Sequence, residues 1–372
     1  MSARQLQEFC KFVQGGRHKL SGKHFVYNGY PAFGAGGLNG FLPQAEFNTP
    51  GIVLSAVGAR CGKCFLAEGA WTSLANTQVI FPEASKVDIR FLWYQLNDEQ
   101  RWPRHGLAQP FIRPSDVKAH LVYLPSLDEQ KRIAAILDKA DTLRVQRRRA
   151  IALLESLTQS IFLEMFGDPE QNPFAFPVVE LGSLIESGPT NGLYKPASSY
   201  GDGTRILRIN NFYDGSIVDL DSLRRLRVSE KEKQAYALRE GDVVINRVNS
   251  REYLGKSALV PSLEEPVLFE SNMMRLSLKR DLIAPKFCTD FLQSGFVKRQ
   301  IAQKAKDAVN QSSINQGDVR SLKILLPPIT KQTEYVNLVL AAAKTRERLY
   351  AAQTQDDRLF ASAHHRAFHG EL

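Results

Sequence analysis

Short stretches of the sequence resemble cofactor-binding motifs, and each lacks a part that the chemistry requires. Residues 33–37, Phe-Gly-Ala-Gly-Gly, resemble the glycine motif that holds S-adenosylmethionine in methyltransferases. However, no strand–glycine–helix unit surrounds them, and the chain has no Asn-Pro-Pro-Tyr or Asp-Pro-Pro-Tyr sequence. Residues 254–257, Leu-Gly-Lys-Ser, end like a phosphate-binding loop, but Ser250 stands where that motif needs its first glycine. We predict a turn beside a ligand surface at the first stretch and a loop at the second.

The candidate metal ligands are also incomplete. Cys61 and Cys64 form a single pair, and no second Cys or His pair follows at zinc-finger spacing. His364, His365 and His369 could share a helix face, although a solvated chain terminus is the simpler interpretation. We predict no metal site and no catalytic residue, so the chain is not expected to be an enzyme by itself.

What remains is a set of basic and amide side chains in glycine-containing loops of two large segments. Arg and Asn can contact guanine and adenine edges through two hydrogen bonds, whereas Lys suits phosphates. Solvated surface charge is the alternative interpretation for each residue taken alone. The predicted DNA-binding residues are Arg17, Lys19, Lys23, Arg60 and Lys63 in the first segment, and Asn210, Asn211, Arg224, Arg225, Arg247, Asn249, Arg251 and Lys256 in the second.

Composition is that of a folded protein of more than one domain. The 372 residues are 43% hydrophobic and 23% charged, with a formal net charge of +9. This charge is compatible with a nucleic-acid partner but does not establish one. Four cysteines are too few for a disulfide framework, and no apolar run is long enough to span a membrane. With no signal peptide in evidence at the N-terminus, we expect a cytoplasmic protein.

An internal repeat organises the chain. At an offset of 202 residues, Asp116 coincides with Asp318, and residues 124–125, Leu-Pro, coincide with residues 326–327. The match continues without a gap for about sixty residues, and it brings Gln130 onto Gln332. A duplicated unit, made of a large domain followed by a long helix, explains it best.

Each repeat ends in a segment with helical composition and a heptad pattern. The first segment begins after Pro125 and ends before the Gly-Asp-Pro at residues 167–169, and the second begins after residues 327–328, Pro-Pro. Each apolar stripe needs a partner, and the other helix is the obvious one. The predicted coiled-coil seam consists of Ile133, Ile136, Ala140, Leu143, Ala150, Leu154, Leu157 and Ile161 in the first helix and Leu338, Ala342, Leu349, Ala352 and Leu359 in the second. Arg147 also occupies a seam position.

The two large segments are predicted to be diverged versions of one mixed fold. Residues 51–57 and 241–248 are β-branched runs behind a glycine, as in strands, and helical segments follow at residues 91–96 and 287–293. We therefore predict an α+β fold in which two β-rich domains are separated by two long antiparallel coiled-coil helices, with a pseudo-two-fold internal repeat. The predicted boundaries are 1–125 and 169–326 for the domains, and 126–168 and 327–372 for the helices.

These segments resemble a known family, the DNA-specificity (S) subunits of type I restriction–modification systems. The clearest stretch is Leu-Pro-Ser-Leu-Asp-Glu-Gln-Lys-Arg-Ile-Ala at residues 124–134, which looks like the family's helix entry, with a weaker copy at residues 326–332. Residues 30–37 with 58–62, and residues 207–215 with 241–244, carry the resemblance in the two domains. Together they cover nearly the whole chain and its domain order. The second helix entry departs from the pattern at Thr330 and Lys331.

The resemblance implies two target-recognition domains, each reading one half of a bipartite site on double-stranded DNA, with the helix pair setting the spacer. It further implies two methyltransferase (M) subunits and two restriction/translocase (R) subunits as partners. S-adenosylmethionine, ATP and Mg would be bound by those partners and none by this chain. The alternative from another class is a coiled-coil protein–protein scaffold with two β-rich binding modules and no DNA readout. A free-standing methyltransferase or nuclease is disfavoured because no catalytic motif survives.

Overall fold

The computed structural model describes residues 3–17, 22–106, 108–217, 219–308 and 311–369, and the described chain forms two compact units. The first unit extends to Ile151 and also contains the chain from Leu349 onward. The second unit consists of residues 152–348. Each unit therefore contains one β-rich domain and a part of both long helices. The predicted domain boundaries, which were drawn at the helix ends, stay predictions.

Among its described residues, the first unit contains nine short strands, two short α-helices and parts of two long ones. Its strands are β1 (Ala3–Gln5), β2 (Cys10–Gln14), β3 (Tyr30–Gly34), β4 (Gly37–Leu42), β5 (Gly51–Ser55), β6 (Cys64–Ala67), β7 (Thr72–Ser73), β8 (Thr77–Pro82) and β9 (Leu121–Tyr123). Its helices are α1 (Ile89–Leu96), α2 (Pro114–Ala119), the first part of α3 (Leu127–Phe166) and the part of α9 (Ile329–His369) from Leu349, with 3₁₀ turns at Leu6–Glu8, Gly22–His24 and Glu99–Arg101.

The second unit repeats this construction with additional strands. Its strands are β10 (Val178–Glu180), β11 (Ile185–Asn191), β12 (Tyr200–Leu207), β13 (Phe212–Tyr213), β14 (Gly215–Ile217), β15 (Arg225–Leu226), β16 (Val243–Asn246), β17 (Val248–Asn249), β18 (Ser257–Leu259), β19 (Val267–Phe269), β20 (Met273–Leu278), β21 (Lys306–Ala308), β22 (Gln311–Ser313) and β23 (Lys323–Leu325). Its helices are α4 (Leu181–Leu184), α5 (Glu230–Tyr236), α6 (Pro285–Leu292), α7 (Gly295–Lys304), α8 (Gln316–Arg320), the part of α3 from Ala152 and the part of α9 (Ile329–His369) up to Arg348, with 3₁₀ turns at Ala197–Ser199 and Arg251–Tyr253.

The two units share one strand plan. A sheet of order β2-β8-β5-β6 in the first corresponds to the β11-β20-β16-β18 part of a six-stranded sheet in the second, which continues through β14 to β13. The first strand of each unit pairs antiparallel with the last strand before its long helix, β1 with β9 and β10 with β23. Smaller sheets, β4-β3-β7 and β15-β12-β19, each contain one parallel pair. The central strands β5 and β16 are fully buried because both are mostly apolar and β-branched, with one buried polar residue at the end of each, Ser55 and Asn246.

A buried glutamine connects each long helix to the domain that precedes it. In the first unit, Gln130 Oε1 accepts a hydrogen bond from the backbone N–H of Asp88 at 2.8 Å, and its Nε2 donates to the carbonyls of Lys86 and Pro125. Asp88 is the N-cap of α1, so the amide satisfies a donor that the short helix leaves open.

Gln332 makes the same three bonds in the second unit. Its Oε1 accepts from the N–H of Ala284, the N-cap of α6, at 2.8 Å. Its Nε2 donates to the carbonyls of Leu282 and Pro327. Both glutamines are 0% exposed. The repeat seen in the sequence is therefore present as a repeated set of hydrogen bonds.

Within each unit, the two long helices contact each other through parts that lie far apart in the chain. In the first unit, Ile133 and Leu137 of α3 share a core cluster with Ala367 and Phe368 of α9, and Arg144 contacts Phe360. In the second, Phe162 and Phe166 of α3 surround Tyr335 of α9. In both units, higher positions on one helix meet lower positions on the other, which is the order of an antiparallel pair.

The predicted seam takes two residues from each heptad of a long helix. The structure buries or half-buries the first of the two, but at several of the second positions it buries the next residue along the chain more deeply. Leu143, Leu338 and Leu359 are 50%, 46% and 62% exposed, so their assignment to the seam is wrong. The residue after each of them is more buried, as Val339 is at 4%. In the rest of the predicted seam, Ile133 is buried, whereas Ile136, Ala140, Ala150, Leu154, Leu157, Ile161, Ala342, Leu349 and Ala352 are half-buried.

This shift of one residue arises because two adjacent residues are both apolar, so the heptad pattern can be drawn through either of them. Ile136 precedes Leu137, and Leu338 precedes Val339, so apolar character alone could not select between them. The structure uses a spacing of four residues and then three, as from Ile133 to Leu137 and on to Ala140. The predicted positions at the first residue of each step are buried or half-buried, whereas at the second step the following residue is the more buried one at Leu137 and Val339.

The described residues contain no group of three His, Cys, Asp or Glu side chains that could hold a metal ion. Cys61 and Cys64 are buried, and burial raises the pKa of both thiols, which disfavours the thiolate form that binds zinc. None of the helices in the described part of the chain is long and apolar enough to cross a membrane.

Replacing the buried amide should weaken the first unit. We expect Gln130→Leu to lower the free energy of unfolding by about 1–3 kcal/mol, because the N–H of Asp88 and two carbonyls lose their partner in the interior. Urea denaturation followed by circular dichroism measures this change. Gln146→Leu, an exposed position of the same helix, is the matched control. Equal midpoints for the two variants would contradict the assigned role.

Candidate DNA interface

In the first unit, several predicted residues lie on loops that are joined at one end of the small sheet. The N–H of Leu74 donates to the carbonyl of Phe33, and the N–H of Gly16 donates to the carbonyl of Ser73. These bonds bring the loop that carries Arg17 beside the glycine-rich stretch at residues 33–37. That stretch forms the turn between β3 and β4, so the predicted turn is confirmed.

Arg60 contacts this glycine-rich turn directly. Its Nη1 donates to the carbonyl of Gly36 at 2.9 Å, and its guanidinium lies 5.9 Å from the ring centroid of Phe65. The side chain remains largely exposed, so Arg60 holds the turn with one nitrogen and presents the rest of the guanidinium to solvent. Lys63 follows at a half-buried position, and Lys23 is exposed on its 3₁₀ turn. Lys19 lies outside the described residues.

In the second unit, the buried carboxylate of Glu270 assembles the corresponding loops. Its side chain is 9% exposed. One oxygen accepts from the N–H of Ile209 at 2.7 Å, and the other accepts from Arg208 Nε at 3.0 Å. Asn211 Oδ1 accepts from the N–H of Arg208, so the amide shapes its own loop. Because a buried charge is costly unless it is paired, Glu270 fixes the position of this loop and of the exposed Asn210 within it.

Lys256 is engaged by the protein itself. Its Nζ donates to the carbonyl of Ile209 at 2.7 Å and lies 3.9 Å from the ring centroid of Tyr213. The rings of Phe212 and Tyr253 lie within 6 Å of the same ammonium. Burial lowers the pKa of Lys256, and the nearby carboxylate of Asp214 opposes that shift. The arrangement indicates that Lys256 orders the loop of residues 209–213, rather than contacting a phosphate.

Arg247 has less freedom than a bidentate guanine contact would require. Its Nη1 donates to the carbonyl of Ser271 at 3.1 Å, and its Nε is enclosed without a partner. Its backbone carbonyl accepts from the N–H of Ile314. Of the three guanidinium nitrogens, Nη2 is neither hydrogen-bonded to the carbonyl of Ser271 nor enclosed. A guanine contact by Arg247 stays a prediction, and Nη2 is the nitrogen available for it.

The other predicted residues of the second unit occupy different surroundings. Arg225 forms a forked ion pair with Glu265, at 2.7 and 3.1 Å. Arg251 pairs with Asp307 on the surface, and Asn249 Oδ1 accepts from the N–H of Ser250. Arg224 is exposed just before β15. Of these side chains, Arg224 is the one whose donors the described contacts leave available for a phosphate.

Sequence reasoning missed the exposed aromatic residues that surround these loops. Tyr194, Tyr213 and Tyr253 are 77%, 45% and 40% exposed in the second unit, and Tyr27 is 94% exposed in the first. Exposed aromatic rings next to basic and amide groups are suited to contacts with bases or sugars. The interleaving of aromatic with basic and amide residues at 207–213 could have indicated Tyr213, whereas no such pattern marks the other three.

Comparison with known proteins bears on this geometry. The family model described as "Type I restriction modification DNA specificity domain" matches residues 1–154. The match covers the β-rich domain of the first unit and the beginning of α3. The resemblance found in the helix entry at residues 124–134 is thereby confirmed, since that stretch lies inside the matched range.

Two curated relatives extend the similarity beyond this range. The chain is 28% identical over 279 residues to the type I restriction enzyme EcoKI specificity subunit of Escherichia coli strain K12, and 27% identical over 277 residues to the StySPI specificity subunit of Salmonella potsdam. Each match covers 70% of this chain. The matches cover 60% and 59% of the two relatives, so the chain spans less than two thirds of either.

A solved structure is similar over almost the whole chain. The type I restriction–modification S subunit from M. genitalium matches 99% of this chain and 96% of its own, with a TM-score of 0.64 and 15% sequence identity. At this identity the similarity concerns the fold, and it confirms the predicted mixed α+β class. The second unit, which lies outside the family model's range, is thus included in the structural match.

The salt dependence of DNA binding should distinguish basic side chains that contact phosphates from those that order a loop. We expect Arg224→Ala to reduce the slope of log K against log salt concentration by about one for mixed-sequence duplex DNA, as loss of one phosphate contact does. Lys256→Met should weaken binding without changing that slope, because its ammonium is held by the carbonyl of Ile209 and by Tyr213. Fluorescence anisotropy titrations at several salt concentrations measure both. A slope reduced by one in Lys256→Met would contradict the loop-ordering role.

Proposed function

We propose that this chain is the non-catalytic DNA-specificity subunit of a type I restriction–modification complex. The observation that carries the proposal is the repeated unit. A domain matched to the DNA specificity family is followed by a second domain with the same strand plan and the same buried glutamine at its helix entry. Two copies of a DNA-recognition domain explain this repetition, because a bipartite DNA site contains two separate base sequences to be recognised.

Each domain reads one half-site in this proposal. The loops around Arg60 and Gly36 would contact DNA in the first unit, and the loops around Glu270 would do so in the second. Both sets combine glycine-containing turns, which permit close approach to a backbone, with exposed basic, amide and aromatic side chains. Hydrogen bonds within each unit hold these loops, so the reading surface is formed before DNA binds.

The helix pair sets the spacer between the half-sites. Helices α3 and α9 have 40 and 41 residues, which corresponds to about 60 Å each at 1.5 Å per residue. One turn of DNA is about 34 Å, so a helix of this length can relate half-sites that lie more than one turn apart. The antiparallel order of contacts within each unit supports a coiled-coil spacer.

The same helices dock two methyltransferase subunits. Several of their leucines are exposed on faces away from the seam, and exposed large apolar side chains indicate interaction surfaces when they cluster. They include Leu143, Leu153, Leu163, Leu338, Leu340 and Leu359. The partners would bind S-adenosylmethionine and methylate adenine, and two restriction/translocase subunits would supply ATP- and Mg-dependent translocation and cleavage in the cytoplasm.

The scaffold alternative makes a different prediction about DNA. A coiled-coil scaffold with two protein-binding modules would bind duplex DNA weakly and without a half-site pattern. The proposed subunit, together with its methyltransferase partners, would direct methylation to one bipartite sequence. Methylome sequencing of a host with and without this chain separates the two: a bipartite motif that depends on the chain supports the proposal, and its absence supports the scaffold.

Exchange of one domain should change one half-site. Replacing residues 169–326 with the aligned segment of a relative is expected to alter only one half of the methylated motif, since the two units have separate loops. Replacing residues 1–125 is the matched control and should alter only the other half. Methylome sequencing reports both halves at once. A change in both halves from either exchange is incompatible with independent reading.

Charged residues on the outer helix faces should weaken partner docking. We expect the double substitution Leu338→Glu and Leu340→Glu to reduce co-purification with the methyltransferase subunit at least tenfold, as loss of buried interface residues does at about 1.4 kcal/mol per decade. Leu282→Glu, at a 42% exposed leucine outside the long helices, is the control. Unchanged recovery of the partner with the double variant would exclude both leucines from the docking surface.

A further inference from the structure

Two ion pairs connect α3 and α9 within the first unit. Arg144 Nε donates to Asp357 Oδ1 at 2.7 Å, and Arg147 Nε donates to Asp356 Oδ2 at 2.6 Å. Three of the four side chains are at most 25% exposed, and Asp357 is 45% exposed. Both arginines sit in the stripe that faces the other helix, where the heptad pattern would otherwise place apolar residues.

The guanidinium of Arg144 is fixed by further contacts. It lies 4.2 Å from the ring centroid of Phe360 on α9, and its Nη1 is 3.3 Å from Asp141 Oδ1 on its own helix. A planar guanidinium between a ring and two carboxylates has few alternative orientations. Arg144 therefore reports on one particular alignment of the two helices.

Other alignments of the helices remove the carboxylate on α9 from both arginines and leave Arg144 only Asp141 of its own helix. A slip of seven residues preserves the heptad pattern, but it places Arg144 opposite Tyr350 or His364 and Arg147 opposite Leu349 or Ala363. Helix α9 contains only four acidic residues, Glu334, Glu347, Asp356 and Asp357. Removing an arginine from water without a carboxylate partner costs free energy. The charged pairs therefore destabilise a slipped alignment more than an apolar seam alone would.

The apolar seam beside these pairs combines three large side chains, Ile133, Leu137 and Phe368, with alanines that discriminate poorly between registers. Ala134 and Ala140 of α3 and Ala363 and Ala367 of α9 are small side chains, and a slip that replaces one alanine by another changes packing little. Large and distinct knobs specify register, whereas small uniform ones leave it open. The charged pairs supply the selectivity that the alanines lack.

We propose that Arg144–Asp357 and Arg147–Asp356 fix the register of α3 against α9, and that the four side chains are thereby positioning residues for the spacer. The part that concerns the spacer rests on the proposed function. A shift of one heptad moves one helix by about 10 Å along the other, which is a large fraction of the 34 Å turn of DNA.

Pulsed electron–electron resonance can measure the register without DNA. Spin labels at Lys139 and Gln355, both exposed, report the axial offset of the helices within the first unit. The label sites are introduced as cysteines in a Cys10→Ser background of the full chain, where Cys61, Cys64 and Cys288 are buried. The test variant carries Arg144→Asp and Arg147→Asp. The restored variant adds Asp356→Arg and Asp357→Arg.

The unsubstituted pair should give one distance. We expect the test variant to lose it, with a second population displaced by about 10 Å or with loss of the ordered distance. The restored variant should return the original single distance. Arg148→Asp with Arg149→Asp is the matched control, because these exposed neighbours carry the same charge change away from the seam. A native distance in the test variant, or failure of the four-fold exchange to restore it, would overturn the register assignment.

A second measurement keeps this inference separate from the proposed function. The same variants are assembled with the methyltransferase subunits, and methylome sequencing reports the spacer length. The test variant should methylate a motif with a changed spacer or none, and the restored variant should recover the original motif. If the label distance changes while the methylated spacer does not, the register assignment holds and the spacer role of the helix pair fails.

Discussion

A buried side-chain amide at the start of each long helix is the contact on which the rest of the arrangement depends. Gln130 and Gln332 are fully enclosed, and each uses its oxygen and both of its N–H groups. One amide joins three pieces of chain: the turn before a short helix, the N-cap of that helix, and the proline that precedes the long helix. An enclosed amide tolerates little displacement of its partners, because each lost bond would leave a buried polar group unsatisfied. The direction in which each long helix leaves its domain is therefore fixed.

Close to these amides, each repeat has a hydrogen bond between a tyrosine and an aspartate that joins its short helix to a long helix, but the two residues have exchanged helices. In the first unit, Tyr94 of α1 donates its hydroxyl to Asp138 of α3 at 2.9 Å. In the second, Tyr335 of α9 donates to Asp290 of α6 at 2.8 Å. The tyrosine and the aspartate have changed helices, and burial raises the pKa of both tyrosines, with the adjacent carboxylate adding to the shift. A hydrogen bond between the short and the long helix is retained, although neither residue keeps its position. Such an exchange is invisible to a comparison that matches identical residues at a fixed offset.

The repeat and the long helices could be predicted from the sequence because their signals are local or periodic. Helix α3 occupies Leu127–Phe166 within the expected segment 126–168, and β5 and β16 lie in the two predicted β-branched runs. The seam was half predictable, since adjacent apolar residues such as Ile136 and Leu137 allow two stripes and only packing selects one. The roles of Lys256 and Arg247 could not be predicted. Their partners, Ile209 and Ser271, are remote in sequence, and a basic residue looks the same whether it faces a carbonyl or a phosphate.

The charged seam residues also answer a problem that a duplicated chain creates. Two similar helices with alanine-rich stripes could pair in several registers of comparable energy. Because the sequence is duplicated, each helix could also pair with a helix like itself. The offset of 202 places Arg147 on Leu349 and Asp356 on Leu154, so this charged pair occurs in one copy only. Arg144 and its partner Asp357 coincide with Arg346 and Glu155, so this combination of charges occurs in both copies, but Phe360, which stacks on Arg144, coincides with Thr158. The asymmetry therefore lies where the helices would otherwise be interchangeable. Apolar burial supplies the affinity between them, and the pair Arg147–Asp356 and the ring of Phe360, which differ between the copies, favour one pairing among those that burial alone would permit.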